Sequence, residues 1–495
     1  MHRKLNQLLL TAHKRLWPKT YGSACSGTDI LFKILQVLDE KWFDLDLQMR
    51  FDWSAEFATE NKVDKASFLK SQHPLKKLFG DVDCLTQDRA KNELTNETVV
   101  VPYVSMFSSG FVCTSRASTN NKRAAFAHCL QDEQECETQR TWAATYHYVK
   151  EFRPTIVLLE NVKELLQESA TGLSDIGYVV KQFEALQYCV HAHVMEACEY
   201  GSLARRKRVY ILAVQLLESM KPVKEDLLKF CENFLESIQI ESGKPQEFLD
   251  LGAPTTMSLT MNQQGPSPDP VAEVNERQAK SRKVDRDGKF RDEHLAIYRH
   301  LKMKWPPVLA DHSNIDFTNM TERQCELAVL MDKGWPCKET VAVPEFCDIN
   351  NSFSRLLGVG GSKSEFNVDQ LDPASYPWKQ QVPTMTSLSA ILMRWSPEGV
   401  ASHVLRLLTG KEMMALAGWS KTMWSASMQH EVEDSVYVSL AGNAFSAFAA
   451  APMVILGLAM SGDQPDLFVP FGPTEDAIAI ADSQFDCDSS ASSPL

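Results

Sequence analysis

The sequence predicts an α/β fold, namely a doubly wound, mostly parallel sheet with a smaller inserted domain. Over the first 216 residues, short apolar or β-branched runs alternate with longer segments of helical spacing, which is the pattern of successive βαβ units. The pattern weakens between about 217 and 380. It returns at Thr409, where Thr409 and Glu412 are spaced as a capping box before an apolar helix. We therefore expect the C-terminal segment to complete the large sheet domain.

The candidate elements follow in chain order. Apolar runs predict strands at Thr20–Cys25, Met49–Ala55, Val99–Met106, Thr155–Glu160, His191–Ala197 and Arg208–Val214. Helical spacing predicts helices at Thr138–Glu151, Val162–Glu168 and Ala444–Met460. In a sheet of this kind, ligands bind beyond the carboxyl ends of the strands.

Composition divides the chain of 495 residues into five parts. We predict a leader helix over 1–17, the sheet domain over 18–216, an inserted domain over 217–380, a segment over 381–460 that completes the sheet domain, and a disordered tail over 461–495. The leader is basic and free of acids, so a transit peptide is the alternative to an amphipathic helix. The tail has seven acidic residues and no Lys or Arg.

Charge and cysteine usage exclude several protein classes. The net charge of −13 argues against a protein that coats nucleic acid without specificity. Arg277–Lys304 nevertheless holds ten basic and four acidic residues, and it could contact phosphates or equally be a solvated helix. The twelve cysteines form no C-x-x-C pair, which favours a reduced compartment and gives no sign of a metal site. Ala444–Met460 is too short for a confident membrane span, so no membrane contact is expected.

A turn of small residues follows the first predicted strand. It comprises Cys25, Ser26, Gly27, Thr28, Asp29 and Ile30. Such a turn lets the backbone approach a ligand and directs helix N–H groups at an anionic part of it, although an ordinary strand-to-helix turn has the same composition. Glu56, which we expect at the end of the second strand, is suited to hold ribose hydroxyls. Asp81 and Val82 follow where a third strand would end. Together these residues indicate a cofactor that contains adenosine.

A second group of side chains is suited to covalent chemistry. Cys113 lies in a loop after the run Val99–Met106, where a stabilised thiolate could act as a nucleophile. Glu160 follows an almost wholly apolar strand and is expected at the same edge of the sheet. Arg206 and Arg208 alternate as the chain enters a strand, so they share one face. Each feature alone is common in proteins of other function, as an inert cysteine, a solvated acid or a surface basic cluster.

In order, these motifs resemble those of the cytosine-5 DNA methyltransferases. The resemblance rests on Ser26-Gly27, Glu56, Gly80-Asp81, Gly110-Phe-x-Cys113, Glu160-Asn161-Val162, Tyr200-Gly201 with Arg206-x-Arg208, Leu408-Thr409-x-x-Glu412 and Gly442-Asn443-Ala444. It covers about residues 18 to 460. It implies the S-adenosylmethionine-dependent methyltransferase fold, with the inserted region as target-recognition domain.

The resemblance also implies roles for individual residues. Cys113 would add to cytosine C6, Glu160 would engage N3 and the exocyclic amine, and Arg206 and Arg208 would contact the base carbonyl and nearby backbone. S-adenosyl-L-methionine would lie against the first turn, Glu56, Asp81, Val82 and Asn443. The target cytosine would rotate out of the DNA duplex. We accordingly expect a monomer that acts on DNA in the nucleus.

The chain departs from the family pattern at several positions. Pro-Cys-Gln appears as Val112-Cys113-Thr114, so the rigidity that proline gives the loop is lost. Ala204 replaces a glutamine before the arginine pair. Asp29 stands where glycine is common and would add a negative charge near the cofactor's carboxylate. These departures indicate a divergent member of the family.

Two other functions remain open from the sequence. A close branch of the same family methylates transfer RNA with the same Cys, Glu and Arg set, and net charge does not separate the two substrates. A catalytically silent DNA-binding scaffold with this fold would be free to lose the chemical residues. Cys113, Glu160, Arg206 and Arg208 are all present, which favours an enzyme.

Overall fold

The computed structural model describes most of the sheet domain and part of the inserted region. The residues described are 2–16, 18–44, 50–115, 130–131, 136–168, 172–249, 251, 294–295, 297–299, 302–307, 309, 312, 314–317, 320–334, 343–350, 378–396, 403–420, 423–424 and 432–468. Most of the basic stretch Arg277–Lys304 and of the acidic tail lies outside these residues, and predictions about those parts stay predictions.

A seven-stranded sheet forms the centre of the molecule. Its strands are β1 (Thr20–Ala24), β2 (Ser54–Thr59), β3 (Lys77–Phe79), β6 (Met106–Ser109), β7 (Ile156–Val162), β8 (Tyr188–Glu196) and β9 (Lys207–Gln215). The spatial order is β3-β2-β1-β6-β7-β9-β8, and β9 is antiparallel to both of its neighbours while the other pairs are parallel. The predicted doubly wound, mostly parallel sheet is confirmed.

Two predicted strands were wrong in their bounds. The run Val99–Met106 is split, because Pro102 cannot donate to a sheet ladder. Its first part forms β5 (Thr98–Val100), which pairs with β4 (Arg89–Lys91) in a separate hairpin. Its end begins β6, the strand between β1 and β7. The second strand runs from Ser54 to Thr59 and not from Met49 to Ala55. The predicted helix Val162–Glu168 is also wrong, since a 3₁₀ turn covers only Lys163–Leu166.

Helices cover both faces of the sheet. They are α1 (His2–Arg15), α2 (Ile30–Asp44), α3 (Val63–Gln72), α4 (Glu137–Phe152), α5 (Asp175–Ala185), α6 (Lys224–Ser237) and α7 (Pro245–Phe248). Alternate residues of β7 belong to different cores: Ile156 and Leu158 pack in one with α1 and α2, and Val157 and Leu159 in the other with α4 and α5. This alternation is the period-2 pattern of a strand that is buried on both faces.

The C-terminal segment packs on the sheet. Its helices are α9 (Gly410–Leu416), α10 (Asp434–Asn443) and α11 (Ala447–Met460), and α9 begins with the predicted capping box of Thr409 and Glu412. A Cβ at Gly457 of α11 would lie 3.0 Å from Ile156 of β7 and from Leu212 of β9, so helix and sheet are in close contact.

The predicted leader segment forms an amphipathic helix that packs on this C-terminal part. Arg15 of α1 donates to the carbonyl oxygens of Ser461 and Gln215, at 2.9 and 2.7 Å. The backbone N–H of Asp463 donates to the Thr11 hydroxyl at 3.2 Å. Within the described residues, no single helix is long and apolar enough to cross a membrane, while α10 and α11 together, bent by 45°, pass on length and composition alone.

A smaller core forms from the described parts of the inserted region. It includes α8 (Glu322–Gly334) and the antiparallel sheet of β10 (Glu345–Asp348), β11 (Ile391–Trp395) and β12 (Val404–Leu407). The packing does not follow the predicted boundaries at 216 and 380. Leu227 and Leu235 of α6 lie in the core of the large sheet, whereas Leu392 and Leu405 lie in the smaller core. The roles assigned to the two units stay predictions.

Candidate active site

The candidate site lies where the order of the central sheet reverses, between β1 and β6. Parallel pairing places Ala24 beside Ser109, so the turn after β1 and the loop after β6 leave the sheet side by side. A Cβ at Gly110 would meet the carbonyl oxygen of Cys25 at 3.8 Å. Ligands of doubly wound sheets bind at such a crevice.

The loop that carries Cys113 is held by the strand next to it. Asn161, within β7, donates from Nδ2 to the carbonyl oxygen of Phe111 at 2.8 Å. Its Oδ1 accepts from the backbone N–H of Val162 at 2.8 Å, which orients the amide. Asn161 is buried, so these bonds fix the loop from inside the fold. Cys113 itself is half-buried.

Glu160 lies between the two predicted arginines. Antiparallel pairing of β7 and β9 places Glu160 opposite Tyr210 and Val162 opposite Arg208, so Arg208 is a diagonal neighbour of Glu160. Arg208 Nε lies 3.1 Å from Glu160 Oε1, and Arg206 Nη2 lies 3.8 Å from the same oxygen. Among the described residues, neither Glu160 Oε1 nor Arg206 Nε makes a hydrogen bond, although both atoms are buried. The site thus holds one acceptor and one donor that a polar ligand could satisfy.

Arg206 also joins the sheet to the C-terminal segment. It is buried, and its Nη1 donates to the carbonyl oxygens of Gly442 at 3.1 Å and Met385 at 3.4 Å. Its backbone N–H donates to Glu196 at 2.5 Å. A Cβ at Gly442 would overlap the backbone of Thr386, so only glycine permits this approach. Burial and the nearby Arg208 lower the pKa of Arg206 to about 10.

Three charged residues, Glu160, Arg206 and Arg208, lie close enough to Cys113 to shift the pKa of its thiol. Burial raises the pKa of the Cys113 thiol, and the Glu160 carboxylate raises it further. Arg208 and Arg206 act in the opposite direction. The structure therefore brings Cys113, Glu160, Arg206 and Arg208 together. In the ligand-free protein at neutral pH the sulfur is held mainly as a thiol.

The turn after β1 has an unusual backbone. The backbone φ angles of Cys25, Gly27 and Asp29 are 51°, 53° and 50°. Residues other than glycine rarely adopt this left-handed region. Thr59, the last residue of β2, supports the turn: its Oγ1 accepts from the N–H of Cys25 at 3.1 Å, and its carbonyl oxygen accepts from Ser26 at 3.0 Å. Strained backbone of this kind concentrates at ligand sites.

The acid at the carboxyl end of β2 is Glu60, which the sequence analysis missed. Placing Glu56 at this end was wrong, because the strand continues to Thr59; Glu56 lies within β2, where Lys76 binds its carboxylate at 2.6 Å. Glu60 instead accepts from the N–H of Gly27 at 3.1 Å and so lies against the turn. Phe57, Ala58 and Thr59 are buried, and the apolar pair Phe57-Ala58 is the sequence signal that the strand continues past Glu56.

The remaining predicted cofactor residues lie around this crevice. Asp81 follows β3 and binds Arg140 of α4 at 2.6 Å, and this contact lowers the pKa of Asp81 against the effect of burial. Val82, next to it, is buried. A Cβ at Gly27 would meet the carbonyl oxygen of Asn443 at 3.9 Å, so α10 ends beside the turn.

Thr28 and Ile30 are buried beneath the turn and are not on its surface. The carbonyl oxygen of Thr28 binds Nε2 of His73 at 2.8 Å. Burial lowers the pKa of His73 to about 3, so this ring is neutral and donates the bond. His73 is a second residue that the sequence analysis missed.

Asp29 does not present the charge that the sequence predicts. Its carboxyl group is buried and accepts from the Tyr21 hydroxyl at 2.5 Å and from the Ser23 hydroxyl at 3.0 Å. Burial raises the pKa of Asp29 to about 7, because the two hydroxyls offset only part of the lost hydration. Close to neutral pH, a large fraction of this group is therefore uncharged.

Replacing Asp29 by asparagine is expected to stabilise the protein at alkaline pH. The folded pKa of Asp29, about 7, lies above its ordinary value, 3.8, so the folded state binds the proton more tightly. Below about pH 4 the group is protonated in the folded and the unfolded protein alike, and the free energy of unfolding is at its highest. As pH rises to about 7 the unfolded protein loses this proton more readily, so the free energy of unfolding falls by up to ~4 kcal/mol. The asparagine side chain of the variant is neutral throughout and lacks this fall. Urea unfolding at pH 4 to 9 measures the difference.

The exposed Asp64 provides the control for this experiment. Asp64→Asn is expected to give an unfolding profile parallel to that of the wild type. A parallel profile for Asp29→Asn as well would show that the buried carboxyl group does not bind its proton as described.

Comparison with known proteins identifies the family. The family model of the C-5 cytosine-specific DNA methylases matches residues 50–449. The type II methyltransferase M.AgeI of Thalassovita gelatinovora is 41% identical over 66 residues, which are 13% of this chain and 15% of that protein. The chain thus matches about a seventh of this curated relative's length.

Solved structures are similar over most of the chain. A Dnmt2 methyltransferase of S. pombe has a TM-score of 0.40 at 10% identity, covering 89% of this chain and 98% of its own. A putative DNA modification methyltransferase encoded within an E. coli prophage has a TM-score of 0.41 at 12% identity, with the same coverage. The family model, which spans most of the chain, decides the assignment: this protein belongs to the C-5 cytosine-specific DNA methylase family.

Proposed function

We propose that the protein is a DNA cytosine-5 methyltransferase that uses S-adenosyl-L-methionine and forms a transient covalent bond from Cys113 to its target base. The observation that carries this proposal is the meeting of Cys113, Glu160, Arg206 and Arg208 at one crevice. A scaffold without catalysis would have no need for a half-buried thiol beside these three charged groups.

The residues around the turn fit an adenosine cofactor. Gly27 lies within the turn beside the carbonyl oxygen of Asn443, and the half-buried acids Glu60 and Asp81 follow β2 and β3. Each oxygen of Glu60 accepts one bond, from the backbone N–H of Lys62 or of Gly27, so this carboxylate keeps unused lone pairs. Glu60 would hold ribose hydroxyls, Asp81 and Val82 the adenine, and the backbone of Cys25, Ser26 and Asn443 the charged end. The bound cofactor supplies an electrophilic methyl group.

Cys113 would act first, because cytosine C5 is a weak nucleophile. Its thiol first loses its proton to water, the thiolate sulfur then forms a bond to C6, and the ring electrons that this bond displaces make C5 nucleophilic. Glu160, whose buried Oε1 makes no hydrogen bond within the described part of the chain, would hold N3 and the exocyclic amine as negative charge develops. Arg206 and Arg208 would bind the base carbonyl and support the thiolate. After methyl transfer, loss of the C5 proton to a base and cleavage of the S–C6 bond release Cys113.

The target base must leave the duplex to reach this crevice, and unstacking it costs a few kcal/mol. We propose that the smaller unit, with α8 and β10 to β12, contacts DNA and offsets this cost. Action as a monomer in the nucleus is part of the same proposal.

The second candidate substrate is transfer RNA, on which the same side chains would perform the same chemistry. The test is methyl incorporation from labelled S-adenosylmethionine into duplex DNA and into transfer RNA by the purified protein. Bisulfite sequencing of the treated DNA then identifies the base and its context. Methyl incorporation into DNA supports the proposal. Incorporation into transfer RNA alone would mean that RNA, and not DNA, is the substrate. If neither nucleic acid is methylated, the silent scaffold is favoured.

Replacing Glu160 by glutamine is expected to change two properties of the site in opposite directions. The Glu160 carboxylate raises the pKa of Cys113, so its removal lowers that pKa and increases alkylation of Cys113 by iodoacetamide several-fold at pH 8. Methyl transfer should fall about 100-fold or more, since the acid that engages the base is lost. Mass spectrometry of the Cys113 peptide and a methylation assay measure the two effects. A decrease in both would contradict the assigned electrostatics.

A further inference from the structure

The loop that carries Cys113 is anchored to the first turns of α4 by two threonine hydroxyls. The backbone N–H of Val112 donates to Thr141 Oγ1 at 3.0 Å, and that of Ser115 donates to Thr138 Oγ1 at 3.4 Å. Both threonines are buried. The two bonds flank Cys113 on either side.

The Thr141 hydroxyl is well suited to accept the bond from Val112. Within α4 it donates to the carbonyl oxygen of Glu137 at 2.9 Å, which uses its one proton. Its lone pairs remain for the N–H of Val112. Because the helix fixes this hydroxyl through its own turn, the anchor has little freedom to move.

Val112, the residue that Thr141 anchors, stands where the family has a proline before its cysteine. Proline has a fixed φ and no N–H, so it holds a loop without a hydrogen bond. Val112 has a rotatable φ and an N–H that needs a partner in a half-buried loop. Thr141 supplies that partner and restricts the same segment of backbone.

We propose that Thr141 is a positioning residue for Cys113, which replaces the constraint of a proline ring by a hydrogen bond to the Val112 N–H. Asn161 holds the carbonyl oxygen of Phe111, so the peptide between Phe111 and Val112 is fixed at both of its polar groups. Without the Thr141 hydroxyl, the Val112 N–H turns toward water. The Cys113 thiol then loses part of its burial and its alignment with Glu160 and Arg208.

The experiment is a double-mutant cycle between Thr141→Val and Val112→Pro. In the wild-type background, Thr141→Val is expected to lower kcat for methyl transfer about 10- to 100-fold with little change in KM for the cofactor. It should raise alkylation of Cys113 several-fold, because burial no longer suppresses the thiolate. In the Val112→Pro background, where there is no N–H to hold, Thr141→Val should change either rate less than about twofold.

Two further variants serve as controls. Thr141→Ser keeps the hydroxyl and should behave like the wild type. Thr145 lies one turn further along α4, is equally buried and binds the Ser109 hydroxyl at 3.0 Å. Thr145→Val removes a comparable hydroxyl from the same helix and should lower stability without changing alkylation of Cys113.

The proposal rests on the proposed function for its kcat readout, whereas the alkylation readout does not depend on methyl transfer. If the wild type methylates no nucleic acid, the proposed function fails and alkylation still decides the anchoring. Unchanged alkylation in Thr141→Val overturns the anchoring, as does an equal effect in the Val112→Pro background. If Val112→Pro does not fold, the contrast between Thr141→Ser and Thr141→Val decides: equal alkylation overturns the proposal, and an increase only in Thr141→Val supports it.

Discussion

Replacing Cys113 by alanine is expected to abolish the covalent adduct with DNA that contains 5-fluorocytosine. Fluorine at C5 prevents release of the enzyme, so the wild type should accumulate an adduct that survives denaturing electrophoresis. Methyl transfer should fall about 10⁴-fold or more, because the variant lacks the thiol that adds to C6. Folding should be retained, since the thiol is half-buried and its loss removes a single polarisable atom.

The matched control is Cys198→Ala, which removes another half-buried thiol, from the short 3₁₀ turn Ala197–Glu199. This variant should form the adduct at the wild-type rate. An adduct in Cys113→Ala would mean that a different nucleophile attacks the base.

Replacing Arg206 by methionine is expected to impair stability and methyl transfer together. The side chain is buried and binds the carbonyl oxygens of Gly442 and Met385 while it pairs with Glu160. Removing it leaves the buried Glu160 with only Arg208 and leaves the two carbonyl groups without this donor. We expect a loss of about 3 kcal/mol in the free energy of unfolding and a roughly 10²- to 10³-fold fall in methyl transfer. Urea unfolding and a methylation assay measure these effects.

The exposed neighbour Arg205 is the control for this change. Arg205→Met should alter the free energy of unfolding by less than about 0.5 kcal/mol. Arg206→Lys is the informative intermediate, because an ammonium group keeps the charge but has one nitrogen, whereas the guanidinium binds the two carbonyl oxygens with Nη1 and pairs with Glu160 through Nη2. A fully stable and active Arg206→Met variant would contradict the role given to this residue.

The parts of the fold that the sequence predicted are those with strong local patterns. Strands β7 and β9 each contain an unbroken apolar run, Ile156–Leu159 and Val209–Val214, and the capping box before α9 is a local signal. The order of polar residues after the strand ends placed Cys113 and Glu160 at one edge of the sheet. Alternation placed Arg206 and Arg208 on the same face. These four residues do meet.

The errors arose where tertiary contacts decide the outcome. Glu56 interrupts the apolar run of β2 with a charge that Lys76 binds, so the predicted strand ended four residues too early, at Ala55, and Glu60 was missed. Asp29 looked exposed, but hydroxyls on β1 direct its carboxyl group inward. No local pattern could have shown that Arg206 binds Gly442 or that Thr141 binds Val112, since these contacts join distant parts of the chain.

The bond between Arg206 and Gly442 spans 236 positions of the chain. At about 5 to 20 residues per second, a ribosome needs roughly 10 to 50 s to make that stretch. At its start six of the seven sheet strands have been synthesised and β9 follows at once, while the Gly442 carbonyl group that receives the guanidinium is made only at its end. The nascent protein is therefore expected to gain its chemical competence only after Gly442 has been synthesised, well after residues 20–215 can begin to fold.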